Sequence, residues 1–204
     1  MAAKISEIAI DLNRYPDRDA ILLRTKLAEY INSQSALEFK IENIWAANGS
    51  NEILQTLVLA FGQNGALGFT PSYSMHPLIA KVCGVNWVSA KRESDFTLNI
   101  ESAISEIELH RPSLVFITTP NNPTGSALRT EQLLELAKAS TKIGALLIID
   151  EAYEEFSKEE SSINLIAKHP NVVTVRTMSK AFSLAGARVG YMVADPRSEE
   201  HTSE

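Results

Sequence analysis

Five side chains with chemistry to offer sit at matching places in this chain. Asn122 lies just past the apolar run Leu114 to Thr118, and Asp150 and Tyr153 lie just past Ala145 to Ile149. Ser179 and Lys180 follow a third run, Val172 to Val175. In an open α/β sheet, ligands bind beyond the carboxyl ends of the strands. Three successive strands would therefore present an amide, an acid with a phenol, and a hydroxyl with an amine. A ligand that uses all of them must carry several distinct polar handles. Taken singly, each residue has a plainer reading. Asp150 could cap a helix, Asn122 could be turn chemistry, Lys180 could be a solvated surface lysine, and Tyr153 could be an aromatic at the edge of the core. The ordered combination at strand ends is what points to a site.

The elements that must position these residues alternate between helical and extended patterns, the signature of an α/β domain with a mainly parallel sheet. Ser50 to Phe61 reads as a helix, with Ile53, Leu54, Leu57, Val58 and Phe61 on one face. Ala66 to Phe69 reads as a strand, Ser74 to Cys83 as a helix with Pro77 in its first turn, Val85 to Ser89 as a strand, and Leu98 to Leu109 as a helix that ends before Arg111-Pro112. Thr130 to Lys142 is predicted helical with Thr130 as its N-cap. The run 145–149, apolar on both faces and bounded by Gly144, belongs in the middle of a parallel sheet. Arg188 to Val193 is predicted as a further strand. His76 and His110 lack any paired ligand spacing and are expected on helix surfaces. Cys83 is expected to be a small buried apolar residue.

The strings TTPNNPTG (118–125), IIDEAYEEF (148–156) and RTMSKAFSLAGARVGY (176–191) resemble the cofactor motifs of fold-type I pyridoxal-phosphate aminotransferases. Within that group they are most similar to the histidinol-phosphate aminotransferase family. LNRYPD (12–17), ANGSNEIL (47–54) and FTPSYSMH (69–76) match in the same order, so the resemblance covers about Ser6 to Pro196. It implies a three-layer α/β/α large domain that binds pyridoxal 5'-phosphate. Lys180 would form the Schiff base with the cofactor aldehyde and shuttle a proton, with burial and nearby cations depressing its pKa. Asp150 would pair with the pyridine nitrogen. Tyr153 and Asn122 would hydrogen-bond the ring oxygen, and Tyr73 would stack on the ring. Gly49, Ser50 and Asn51, where a loop enters the 50–61 helix, would supply N–H donors to the phosphate. Ser179 would add a hydroxyl and Arg188 a charge-assisted contact. Tyr15 would reach the phosphate from the partner subunit, so the site would be shared across a homodimer.

Composition is consistent with this. Of 204 residues, 45% are hydrophobic and 22% charged, which excludes a mostly disordered chain. The net charge of −6 comes without a basic block, which argues against nucleic acid and anionic membranes as partners. No apolar run approaches the ~20 residues needed to span a bilayer. The start, MAAKISEIAI, lacks the basic and apolar regions of a signal peptide. With one cysteine no internal disulfide is possible, and a cytoplasmic location is expected.

Residues 1–30 are expected to form an N-terminal arm and helix contributing to a dimer and its cofactor site, and 31–196 an incomplete large domain. The octapeptide RSEEHTSE (197–204) matches one reading frame of a sequencing-library adapter and is expected to be non-native. The family's L-x-x-N-E-x-P segment and its C-terminal small domain, with an arginine for the substrate carboxylate, are expected to be missing. On that expectation the chain is an inactive fragment of a transaminating enzyme. Two other readings stay open: an aromatic aminotransferase or amino-acid-phosphate decarboxylase of the same superfamily, and a folded remnant without turnover.

Overall fold

A computed structural model describes residues 2–35 and 37–198. The strands are β1 (Ile44–Ala47), β2 (Ala66–Thr70), β3 (Trp87–Lys91), β4 (Leu114–Thr118), β5 (Leu146–Asp150), β6 (Val172–Thr177) and β7 (Gly190–Val193). They form one seven-stranded sheet in the order β1-β7-β6-β5-β4-β2-β3. Pairings from β3 through β6 are parallel, and β7 runs antiparallel to both β6 and β1. No crossover helix separates β6 from β7. The loop between them is instead closed on itself, with Met178 N–H donating to Val189 O (3.0 Å) and Leu184 N–H to Met178 O (3.0 Å). The chain therefore returns directly alongside β6, which only an antiparallel strand can do over so short a connection.

The helices are α1 (Ala2–Ala9), α2 (Ile21–Asn32), α3 (Ser50–Phe61), α4 (Met75–Val82), α5 (Ile100–His110) and α6 (Thr130–Ile143). Residues of α2, α5 and α6 pack with Val115, Ile117, Leu147 and Ile149 on one face of the sheet. Residues of α3 and α4 pack with Leu114, Phe116, Ile148 and Val175 on the other. Alternation along β4 and β5 thus buries every residue of LVFIT and almost every one of LLIID, which is why these runs are apolar throughout. The Asn99 side chain accepts the Ser102 N–H (3.0 Å) and starts α5, while Gly144, at φ 74°, ends α6 in the left-handed conformation.

Several expectations are corrected. Thr130 is the first residue of α6, and the cap is Arg129, whose N–H is taken by Gln132 Oε1 (3.0 Å). Two elements without a strong sequence pattern also emerge. The edge strand β1 is only half-buried, and α2 buries Leu27, Ala28 and Ile31 in the main core. The last strand begins at Gly190, so Arg188 precedes it, and Cys83 is half-buried rather than buried. Of the expected non-native tail, residues 199–204 lie outside the described residues. Before them, the Asp195 carboxylate accepts from Arg197 Nε (3.0 Å) and Nη2 (2.8 Å).

Candidate active site

The carboxyl ends of β4, β5 and β6 and the first turn of α3 surround a cavity of about 180 Å³. Ser50, Asn51, Tyr73, Asn122, Asp150, Tyr153, Ser179, Lys180 and Arg188 all line it, so sequence-distant residues expected to act together meet here. Tyr15 does not line it and is fully exposed. A larger cleft of about 560 Å³, walled by Phe156 and Lys158, adjoins it through the shared residues Asn122 and Tyr153.

Asp150 is the last residue of β5 and points to the α3/α4 side of the sheet. It is 3% exposed, as is His76 on α4, whose Nε2 lies 2.9 Å from Asp150 Oδ2. Asp150 Oδ1 accepts the Ala152 N–H at 3.1 Å. A buried carboxylate needs such partners, because an isolated charge is costly away from water. His76 is itself held between aromatic rings, with Phe116 at 5.1 Å and Tyr73 edge-on at 5.3 Å. It was expected on a helix surface, and the structure corrects this: α4 turns the face bearing His76, Ile79 and Ala80 onto the sheet. The signal available in sequence was its place three and four residues before Ile79 and Ala80, on the same helix face. Thr118 and Thr177 also line the cavity, and the sequence carries no signal for them because threonines at strand ends resemble ordinary β-formers.

On the opposite wall the turn after β1 closes on the loop before β7. Gly49 adopts φ 91°, and a Cβ built there would lie 2.5 Å from Arg188 Nη2. A Cβ on Gly190 would lie 2.2 Å from the Ser50 backbone nitrogen. The two glycines therefore allow the Arg188 guanidinium and the α3 N-terminus to approach each other. The first N–H groups of a helix have no intrahelical partner and carry the positive end of its dipole. Beside a guanidinium they form a cradle for an anion. Tyr73 Oη lies 3.5 Å from Asn51 Oδ1 on the rim of the same wall.

Lys180 stands on the loop above β6 with its Nζ 5.5 Å from the centroid of the Tyr153 ring, within cation–π range. It was expected to be buried. The structure leaves it exposed on the loop between β6 and β7. Among the described residues no cluster of His, Cys, Asp and Glu is arranged to hold a metal ion, and no helix is long and apolar enough to cross a membrane.

The sheet order, the helical layers and a site built from strand ends and a helix N-terminus define the large domain of the fold-type I aminotransferase architecture. The chain belongs to the aminotransferase class I and II family, whose profile matches residues 2–203. Among curated proteins it is 51% identical over 195 residues to a histidinol-phosphate aminotransferase of Mycobacterium sp. (strain KMS), covering 94% of this chain and 51% of that one. Two solved structures are also similar. The histidinol-phosphate aminotransferase of Clostridium acetobutylicum superposes with a TM-score of 0.79 at 28% identity, over 95% of this chain and 55% of that one. That of Sinorhizobium meliloti, in complex with pyridoxal-5'-phosphate, gives 0.82 at 27%, over 94% and 51%. The chain spans about half the length of the curated relatives it matches.

Proposed function

We propose that this chain is the cofactor-binding part of a pyridoxal-phosphate-dependent aminotransferase, and that the whole protein exchanges amino groups between histidinol phosphate and 2-oxoglutarate. The observation that carries the reading is the shared cavity. The buried acid Asp150 and the amine of Lys180 line one small space together with Ser50, Asn51 and Arg188, and Gly49 lies behind the Arg188 guanidinium rather than on the lining. The relatives named above support the substrate.

The residues fit the cofactor by their donor chemistry. A pyridinium nitrogen calls for a buried, hydrogen-bonded carboxylate, and Asp150 is one. A phosphate dianion calls for a guanidinium and free N–H groups, and Arg188 with the α3 N-terminus at Ser50 and Asn51, all lining the cavity, would supply both. Asn122 and Tyr153 would hold the ring oxygen, Tyr73 would cover the ring face, and Ser50, Asn51, Ser179 and Arg188 would bind the phosphate. When bound, pyridoxal phosphate supplies an electron sink for the charge left on a substrate Cα. Lys180 Nζ would anchor the cofactor and, once released by the substrate amine, would move a proton between the substrate Cα and the cofactor's C4′. Tyr153 restricts where that amine stands, and His76 keeps Asp150 aimed into the cavity. The adjoining cleft leaves room for a substrate longer than the amino acid head alone.

Tyr15 of the partner subunit would complete the phosphate site in a cytoplasmic homodimer. Tyr15 and the neighbouring Ile8, Ile10 and Leu12, all exposed, support an intermolecular role for this segment. The test is to incubate the protein with pyridoxal phosphate, reduce with borohydride and map the modified peptide by mass. A tag on Lys180, absent from Lys180→Ala, is expected. A visible absorbance band that persists in Lys180→Ala would refute the assignment. A substrate panel on the whole protein, with histidinol phosphate as the preferred amino donor, tests the substrate.

A further inference from the structure

Asp150 and Glu151 are consecutive, and the pleat sends their side chains to opposite faces of the sheet. While Asp150 enters the cavity, Glu151 is buried among α2-side residues at 1% exposure, together with Arg176 of β6, also at 1%. Arg176 Nε and Nη2 both donate to Glu151 Oε2, at 3.0 and 2.9 Å. Ser161 Oγ donates to the same oxygen (2.8 Å) and accepts from Arg176 Nη2 (2.8 Å). The Ser162 N–H fills Glu151 Oε1 (2.6 Å), and the Ser162 hydroxyl lies 2.7 Å from Thr174 Oγ1. Both carboxylate oxygens are thus occupied.

The remaining donor, Arg176 Nη1, and the buried Tyr191 hydroxyl on β7 have no hydrogen bond within 3.5 Å. The two side chains are nevertheless coupled. Burial works against the Arg176 cation, yet Glu151 and then Tyr191 hold its pKa above the ordinary guanidinium value. Burial pushes the Tyr191 phenol up to about 12, against the pull of Arg176.

The location of this cluster matters more than its strength. The β5–β6 ladder ends at the pair Asp150–Val175, and the Glu151 N–H donates to Val175 O (2.8 Å). Glu151 and Arg176 therefore tie the two strands together at the point where backbone pairing stops. One residue before Glu151 stands the acid of the cavity, and four residues after Arg176 stands its amine. Among the described residues, the side-chain hydrogen bonds that join residues 151–162 to β6 all belong to this cluster, through Glu151, Ser161 and Ser162.

Resting on the function proposed above, we infer that Glu151 and Arg176 are positioning residues: a buried strut on the far face of the sheet that sets how Asp150 and Lys180 stand relative to each other. Buried ion pairs contribute little net stability against apolar residues of similar shape, but removing one partner is strongly destabilising. Stability alone therefore gives little reason for this pair, whereas misplacing catalytic groups by about 1 Å is enough to lower a rate about 100-fold.

Two variants test it in the whole protein loaded with pyridoxal phosphate. Arg176→Lys keeps the charge but loses the two-point grip. The double variant Glu151→Gln/Arg176→Met removes both charges while Gln still accepts from Ser162. Thermal midpoint, kcat and KM separately, and the pH midpoint of the visible absorbance of the lysine-bound cofactor are measured. The expected result is a folded double variant with kcat lowered about 10- to 100-fold, KM little changed, and the absorbance midpoint moved by about one pH unit. Arg176→Lys should move the same readouts in the same direction, and it decides the matter if the double variant does not fold. Wild-type kcat and absorbance midpoint in the folded variants would reduce the pair to a structural feature and overturn the proposal. A wild-type protein that takes up no pyridoxal phosphate would instead overturn the underlying function, and the strut with it.

Discussion

His76 Nε2 stands 2.9 Å from Asp150 Oδ2, and both side chains are sealed from water. The pair joins α4 to the end of β5 across the wall of the cavity. With Oδ1 held by the Ala152 N–H, the carboxylate has little freedom to turn away. The acid is thus aimed before any ligand arrives.

Replacing His76 with Ala should therefore damage more than packing. A buried charged acceptor left without its partner costs about 2–3 kcal/mol. Urea unfolding of the cofactor-free protein should show a loss of that size, and equilibrium dialysis should show weaker retention of pyridoxal phosphate. Unchanged values in both experiments would mean that Asp150 is held by other groups.

Gly190 is where the β7 backbone passes the first turn of α3. In Gly190→Ala the new methyl would meet backbone atoms of Gly49 and Ser50, which cannot rotate away. Overpacking of this kind costs about 1–3 kcal/mol, and here it would also push the helix N-terminus off the anion cradle. Gly186→Ala is the control, because nothing lies within 4 Å of a Cβ there. Phosphate and pyridoxal phosphate affinities should fall in the first variant and stay near wild type in the second.

Glu154 gives the protein a pH dependence of definite sign. Its carboxyl is pushed from 4.5 up to about 8, first by burial and then by the negative Glu151, with Arg176 opposing. The folded state holds a proton that the unfolded chain releases, so the stability linked to this group is present below about pH 4.5 and is lost as pH rises through about 8. Glu154→Gln should flatten the fall in urea midpoint across that window. An equally steep fall in the variant would assign the dependence to another group.

The parallel core was legible because β4 and β5 are buried on both faces, which leaves an unbroken apolar signature in the letters themselves. The edge strand β1 was not legible. It is four residues long and half-buried, and it exists because β7 is there to pair with it. Arg188 was placed within a strand. In the structure it takes φ 52° just before β7, and this turn brings its guanidinium against Gly49.

Residue types and their order along the chain were enough to single out Asn122, Asp150, Tyr153, Ser179, Lys180 and Arg188, which all line the cavity, but not Thr118 and Thr177 beside them, nor that Tyr15 stands away from it. Only the tertiary structure decided how they are held. Neighbouring letters such as Asp150 and Glu151 differ little in chemistry, yet strand alternation sends one into the site and the other to Arg176 behind it. The partners that matter most, His76 for Asp150 and Arg176 for Glu151, lie 74 and 25 residues away in the chain. A hydrogen bond depends on distance in space, and spacing along the chain does not encode distance until the sheet has closed.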